Sequence, residues 1–142
     1  MRVVLMVMSL VVFLSAEFSR SAGTVQDSFT GLEWQDDYSN NSGEIKKATW
    51  SQALIYCDEL ILGGYSSWRL PNRNELKSIV DRGKYNPAIS SIFQNFTSNY
   101  YWSSTTFASD SSYAWVVDFD YGYDFWDGKA YEDYVRCVRG GQ

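Results

Sequence analysis

The chain has 142 residues, a formal net charge of −5 at neutral pH, 18% aromatic side chains and no histidine. That length holds one domain, and the acidic balance disfavours nucleic acid, heparin-like polymers and anionic lipid as partners. Without histidine the ordinary Ser-His-Asp and Cys-His catalytic units are excluded, which leaves neutral sugars, cations and basic protein patches as candidate partners.

Arg2 precedes an apolar run from Val3 to Leu14, followed by small residues at Ser15 and Ala16 and again at Ser21-Ala22-Gly23. A positive start, an apolar centre and small residues at a cleavage point make up a secretory signal, and the apolar centre is short for a bilayer span. The expectation is a signal peptide over residues 1–23 and a mature domain over 24–142, secreted, periplasmic or at the cell surface, with no membrane insertion of the mature chain. An uncleaved N-terminal anchor is the alternative. Removing residues 1–23 takes Arg2, Glu17 and Arg20, leaving ten basic against sixteen acidic side chains and a balance of −6.

Val25 to Asp27 and Leu32 to Trp34 flank Ser28-Phe-Thr-Gly31, which predicts a short hairpin with Gly31 in its turn. Gln35 to Gly43 is a polar loop. Thr49 with Gln52 three residues on forms a capping box, and Trp50, Ala53, Leu54, Cys57, Leu60 and Ile61 follow at helical spacing until Gly63-Gly64 ends the helix. A second capping box, Asn72 with Glu75, opens a helix whose apolar stripe is Leu76, Ile79 and Val80. Asn86-Pro87 predicts one more helical turn through Ile89, Ile92 and Phe93. Beyond Phe96 the chain turns β-rich, with strands expected at Tyr100 to Ser104, along the run from Tyr113, and from Tyr134 to Val138. Helices first and strands later favour an α+β domain with an antiparallel sheet over a parallel α/β fold.

From Tyr113 to Phe125 every odd position is aromatic or valine, while the even positions are mostly Ala, Asp and Gly. A strand here buries one face and shows the other. Trp115, Val117 and Phe119 are assigned to the core, and the division falls near Asp120. Tyr121, Tyr123, Phe125, Trp126 and Tyr131 exceed what one strand face needs. With Asp124 and Asp127 they form the candidate ligand-binding set, an amphipathic surface able to stack on sugar rings or protein side chains.

Asp118, Asp120, Asp124 and Asp127 are the candidate calcium ligands, since calcium takes six to eight oxygens. Alternating Asp is also what a solvent-facing strand carries, and no cofactor is otherwise expected. Arg69 is expected to pair with an internal acid such as Glu75, and Arg136 and Arg139 with Asp118 or Asp120 on a sheet surface, Arg136 facing away from the core. Cys57 and Cys137 are an even pair in an export context, which reads as a disulfide, with two buried free thiols as the alternative.

Thr30-Gly-Leu-Glu-Trp34, the helix bearing Cys57, Gly63-Gly64 followed by Trp68-Arg-Leu-Pro71 and Glu75-Leu76, Tyr101-Trp-Ser-Ser104 and Val135-Arg-Cys-Val-Arg139 occur in order from about Val25 to Gly140. This ordered set resembles the bacterial family named after the C-terminal domain of the Legionella collagen-like adhesin. The resemblance implies a C-type-lectin-like fold with two main helices and long loops, a secreted or surface location and a theme of adhesion. A disulfide from the helix to the last strand recurs in lectin-like folds, and Cys57 and Cys137 fit it. The adhesin's association with sulfated glycosaminoglycans is not carried over, because this chain is acidic.

The function expected from the sequence is a non-enzymatic binding domain that recognises a surface glycan or protein. A self-assembling subunit of a surface layer or appendage is the second reading. An extracytoplasmic enzyme related to formylglycine-generating enzymes is the third, and it requires free thiols at Cys57 and Cys137.

Overall fold

The structure is a computed structural model that describes residues 17–141. Residues 1–16, which carry the apolar part of the expected signal, lie outside the described residues. In chain order the elements are β1 (Phe18–Ser21), β2 (Thr24–Asp27), β3 (Leu32–Gln35), a 3-10 turn (Ser39–Asn41), β4 (Lys47–Ala48), α1 (Trp50–Glu59), α2 (Arg73–Ser78), β5 (Tyr100–Thr106), β6 (Tyr113–Asp118), β7 (Tyr123–Gly128), β8 (Asp133–Tyr134) and β9 (Val138–Gly140). Two helices and two mostly antiparallel sheets make this an α+β fold.

The first sheet runs β1-β2-β3-β9 and the second β4-β8-β5-β6-β7, with β5 and β8 parallel. Both capping boxes form: the Gln52 side chain accepts from the Thr49 N–H, and Asn72 and Glu75 bond reciprocally. Gly63 and Gly64 do not end α1, which stops at Glu59; they shape the tight turn that pairs Leu62 with Tyr65. Ile61 consequently lies outside the helical stripe and is exposed.

The second sheet is covered on both faces. Ala53 and Cys57 of α1 pack with Trp102, Ala114 and Val116, while Tyr101, Val117 and Phe119 join Val25 and Trp34 of the first sheet with Leu76, Ile79 and Phe93. This is why simple alternation fails in β6: Val116 and Val117 are both buried, one in each core. Trp115 is only half-buried, although the sequence assigns it to the core.

Two expected elements differ. Asn86-Pro87 does not start a helical turn, because the Asn86 and Ala88 N–H groups donate to the carbonyls of Asp120 and Phe119, and Val80 bridges Ile89. The segment Tyr134 to Val138 is not one strand. Tyr134 belongs to the second sheet and Val138 to the first, and Val135 to Cys137 carry the chain between them.

That crossing overturns the expected place of Arg136. It does not sit on a sheet surface with Asp118 or Asp120; it is 1% exposed, and its guanidinium lies 3.0 Å from the fully buried Asp36 carboxylate. It also donates to the Gln35 and Asn95 carbonyls and lies 4.8 Å from the Phe93 ring centroid. Asp36 in turn accepts from Arg20 and from the N–H groups of Gln94 and Asn95. A buried ion pair survives only when its other hydrogen-bonding sites are satisfied, as both partners' are here. Arg139 pairs with Glu33 at 2.9 Å rather than with Asp118 or Asp120, whereas Arg69 pairs with Glu75 at 2.6 Å as expected.

Cys57 and Cys137 are joined by a disulfide that closes a separation of 80 residues and ties α1 to the crossing segment. Of the expected leader, residues 18–21 form β1, an outer strand paired with β2, with Phe18 packed edge-on against Phe93.

Candidate functional site

The turn after β6 and the loop after α2 are built against each other. Gly122 has φ +85°, and an added Cβ would lie 2.6 Å from the Val80 side chain, so only glycine brings the two segments this close. The Asn86 N–H donates to Asp120 at 2.6 Å and the Ala88 N–H to Phe119 at 2.8 Å, which locks the loop beside the turn. Between them opens a cleft of about 320 Å³ lined by Arg82, Gly83, Lys84, Tyr85, Tyr121 and Tyr123. A second hollow of about 400 Å³, with Pro87, Ile89 and Phe96 in its wall, shares Gly83, Lys84 and Tyr85 with the first. Tyr85 therefore stands between two depressions.

The aromatic side chains after Asp120 divide into two kinds. Tyr85, Tyr121 and Tyr123 are 74%, 61% and 69% exposed, and among the described residues none has an aromatic or cationic partner over its ring. Phe125 and Trp126 stack on each other at 4.9 Å, and the row continues to Tyr100 at 6.5 Å and Phe107 at 4.8 Å. Strand alternation sends chain neighbours to opposite faces, yet these two rings lie within 7° of parallel. Trp115 meets Phe107 and Trp126 edge-on and carries the Arg73 guanidinium 3.5 Å above its ring. The rings of this row stack on one another, while among the described residues the three tyrosine rings carry no aromatic or cationic partner.

The acids of the expected site are engaged elsewhere. Asp124 is bonded by Arg73 at 2.6 Å and by Lys77 at 3.2 Å. Partial burial pushes its carboxyl up, but these two cations outweigh that and hold it below the usual range. Asp127 accepts from the Gly128 N–H and faces Asp133. Burial, followed by the neighbouring Asp127 carboxylate, pushes Asp133 up to about 7, and Lys47 acts in the opposite direction. Asp133 Oδ2 is buried without a hydrogen-bond partner among the described residues, as a carboxyl that keeps its proton tolerates better than an ionised one.

The four calcium candidates are not brought together. Asp118 accepts from the Asp120 N–H, and the hairpin register opposes Asp118 to Tyr123 and Asp124 to Val117, on opposite faces. Among the described residues no three acidic or cysteine side chains converge as a metal site. Tyr131 is exposed and lies across Gly128, away from the residues that line the cleft.

Sequence reasoning missed Arg82, Lys84 and Tyr85. Their signal was present in Asp-Arg-Gly-Lys-Tyr-Asn-Pro87, a turn-rich segment with an aromatic residue in it, but a helical turn was expected immediately after it. Of the expected aromatic and acidic set, Tyr121 and Tyr123 line the cleft, together with Tyr85 and two basic side chains.

A family model described as the Lcl C-terminal domain matches residues 23–139, which include Tyr85, Tyr121, Tyr123, the disulfide and the Arg136–Asp36 pair. No curated protein matches the chain.

Proposed function

We propose, from the premise that the chain belongs to the Lcl C-terminal domain family, that it is a non-enzymatic recognition domain which holds a glycan against Tyr85, Tyr121 and Tyr123. The family is consistent with a surface domain associated with adhesion. The observation that carries the reading is the convergence of three exposed tyrosine rings with free faces on one cleft. Tyrosine offers an apolar face for the C–H side of a sugar ring and a hydroxyl for its polar rim, at little cost in side-chain entropy. Arg82 and Lys84 add donors for sugar hydroxyls. At about 320 Å³ the cleft is at the lower end of ligand-site volumes, which suits one or two sugar rings and a weak, multivalent mode of attachment.

Location outside the cytoplasm accords with the disulfide, since such bonds persist in oxidising compartments. Both cysteines are joined, so the thiol chemistry that the enzymatic reading requires has no free sulfur to use.

The experiment is a glycan array probed with the disulfide-bonded domain, with a parallel panel of surface proteins, each hit being titrated by calorimetry. Saturable binding to a defined glycan is the expected result. Binding confined to the protein panel, or no binding to either, contradicts the proposal.

A further inference from the structure

We propose that the glycan held by the cleft carries a short alkyl or acyl chain, and that this chain lies in the neighbouring hollow walled by Tyr85, Pro87, Ile89 and Phe96. The inference rests on the glycan reading given above and narrows its ligand class. Lys84 and Tyr85 belong to the walls of both depressions, so a ligand that fills one reaches the other by crossing a single ring.

The two walls differ in chemistry. The cleft presents Arg82, Lys84 and three tyrosines, all able to bond hydroxyl groups. The hollow presents Pro87, Ile89 and Phe96, whose side chains have no hydrogen-bonding group. Neither wall includes a carboxylate, in a chain with 17 acidic residues, so an apolar group entering the hollow strips water from no acid on its wall. A sugar alone satisfies the first wall and leaves the second wet. A sugar with a chain satisfies both.

Phe96 is 41% exposed and has no aromatic or cationic partner among the described residues, yet the backbone on either side of it is fixed. The Asn95 N–H donates to the buried Asp36 carboxylate at 3.1 Å, the Asn95 side chain to the Asp36 carbonyl at 2.7 Å, and the Thr97 N–H to the Tyr101 hydroxyl at 3.1 Å. In the other segment of the wall Ile89 is buried and bridges Val80, and the Ala88 N–H donates to the Phe119 carbonyl at 2.8 Å. The hollow therefore lies between two anchored segments, and a chain entering it orders little that is not already ordered.

Its volume of about 400 Å³ is in the lower part of the range for ligand sites, which suits a chain of a few carbons rather than a long lipid tail. Each buried methylene raises affinity roughly threefold to fourfold, so two of them give about tenfold.

The test is calorimetric titration of the disulfide-bonded domain with the methyl, butyl and hexyl β-glycosides of glucose, galactose and N-acetylglucosamine, using wild type, Phe96→Ala and Phe96→Leu. With at least one sugar, the hexyl glycoside should bind about tenfold more tightly than the methyl glycoside, with butyl between them. Phe96→Ala should cut that gain to about threefold or less without changing the affinity for the methyl glycoside, and Phe96→Leu, which keeps the wall apolar, should retain most of it. Equal affinity for the three chain lengths, a gain that Phe96→Ala leaves intact, or no binding of any glycoside overturns the proposal. Methyl glycosides that bind without any gain from the chain overturn this inference alone and leave the glycan reading standing. A hexyl gain that Phe96→Ala removes, with binding untouched by Tyr121→Ala and Tyr123→Ala together, supports the hollow and overturns the cleft as the sugar site, so the two failures are distinguishable.

Discussion

Arg136 lies 3.0 Å from Asp36, with both side chains sealed from solvent, at the point where the chain leaves the second sheet for the first. Asp36 directly follows β3, and Arg136 belongs to the three residues that separate β8 from β9. The pair, beside the Cys57–Cys137 bond, ties the end of β3 to the segment that passes from one sheet to the other.

Replacing Arg136 with Met should destabilise the domain by about 3 to 5 kcal/mol, because it strands a buried carboxylate. Arg136→Lys should not restore stability. A single ammonium cannot reach the Gln35 carbonyl, the Asp36 carboxylate and the Asn95 carbonyl with the geometry of a guanidinium fork. Urea unfolding of both variants, read by tryptophan fluorescence, checks this.

Arg20 is the second cation on Asp36 but is 23% exposed. Arg20→Ala should therefore cost less, about 1 to 2 kcal/mol, since Arg136 and two backbone N–H groups remain on the carboxylate. The same unfolding measurement ranks the two arginines.

Substituting both Cys57 and Cys137 with Ser should cost about 4 to 5 kcal/mol in the chain-entropy account, given the 80 residues the bond spans. Melting of the reduced wild type should fall alongside that of the double variant.

Asp133 gives stability a pH dependence of unusual sign. Unfolded, it ionises near 3.8; folded, burial and then the Asp127 carboxylate push it up to about 7. Between these values the folded protein holds the extra proton, so stability from this group is present below about pH 4 and is lost as pH rises to about 7. Asp133→Asn should therefore stabilise the domain at pH 8 by about 1 to 2 kcal/mol, less than the full shift because solvent screens part of it. At pH 4 it should change stability little. Melting curves of the two proteins across that range should converge as the pH falls.

Local signals were readable in the sequence, and long-range ones were not. Thr49 with Gln52 and Asn72 with Glu75 declare two helix starts within four residues each, and Gly31 declares its hairpin. The division of the aromatic run near Asp120 coincides with a turn, since residues 119–122 lie between β6 and β7. Arg136 was misplaced because alternation assumes that a strand stays in one sheet, and Tyr134 to Val138 changes sheets. Tyr85 was missed because its meeting with Tyr121 and Tyr123 depends on Gly122 packing against Val80, a contact across forty-two residues that no local pattern announces.

The most direct test of the recognition site compares two groups of variants against the glycan that binds best. Tyr121→Ala with Tyr123→Ala removes two free ring faces, whereas Trp126→Ala opens the self-stacked row and leaves the cleft wall untouched. With folding verified by unchanged melting, the tyrosine pair should lose affinity by about tenfold or more, and Trp126→Ala should stay within about threefold of wild type. Wild-type affinity in the tyrosine variant, or a loss confined to Trp126→Ala, would place recognition on the stacked row and contradict the account.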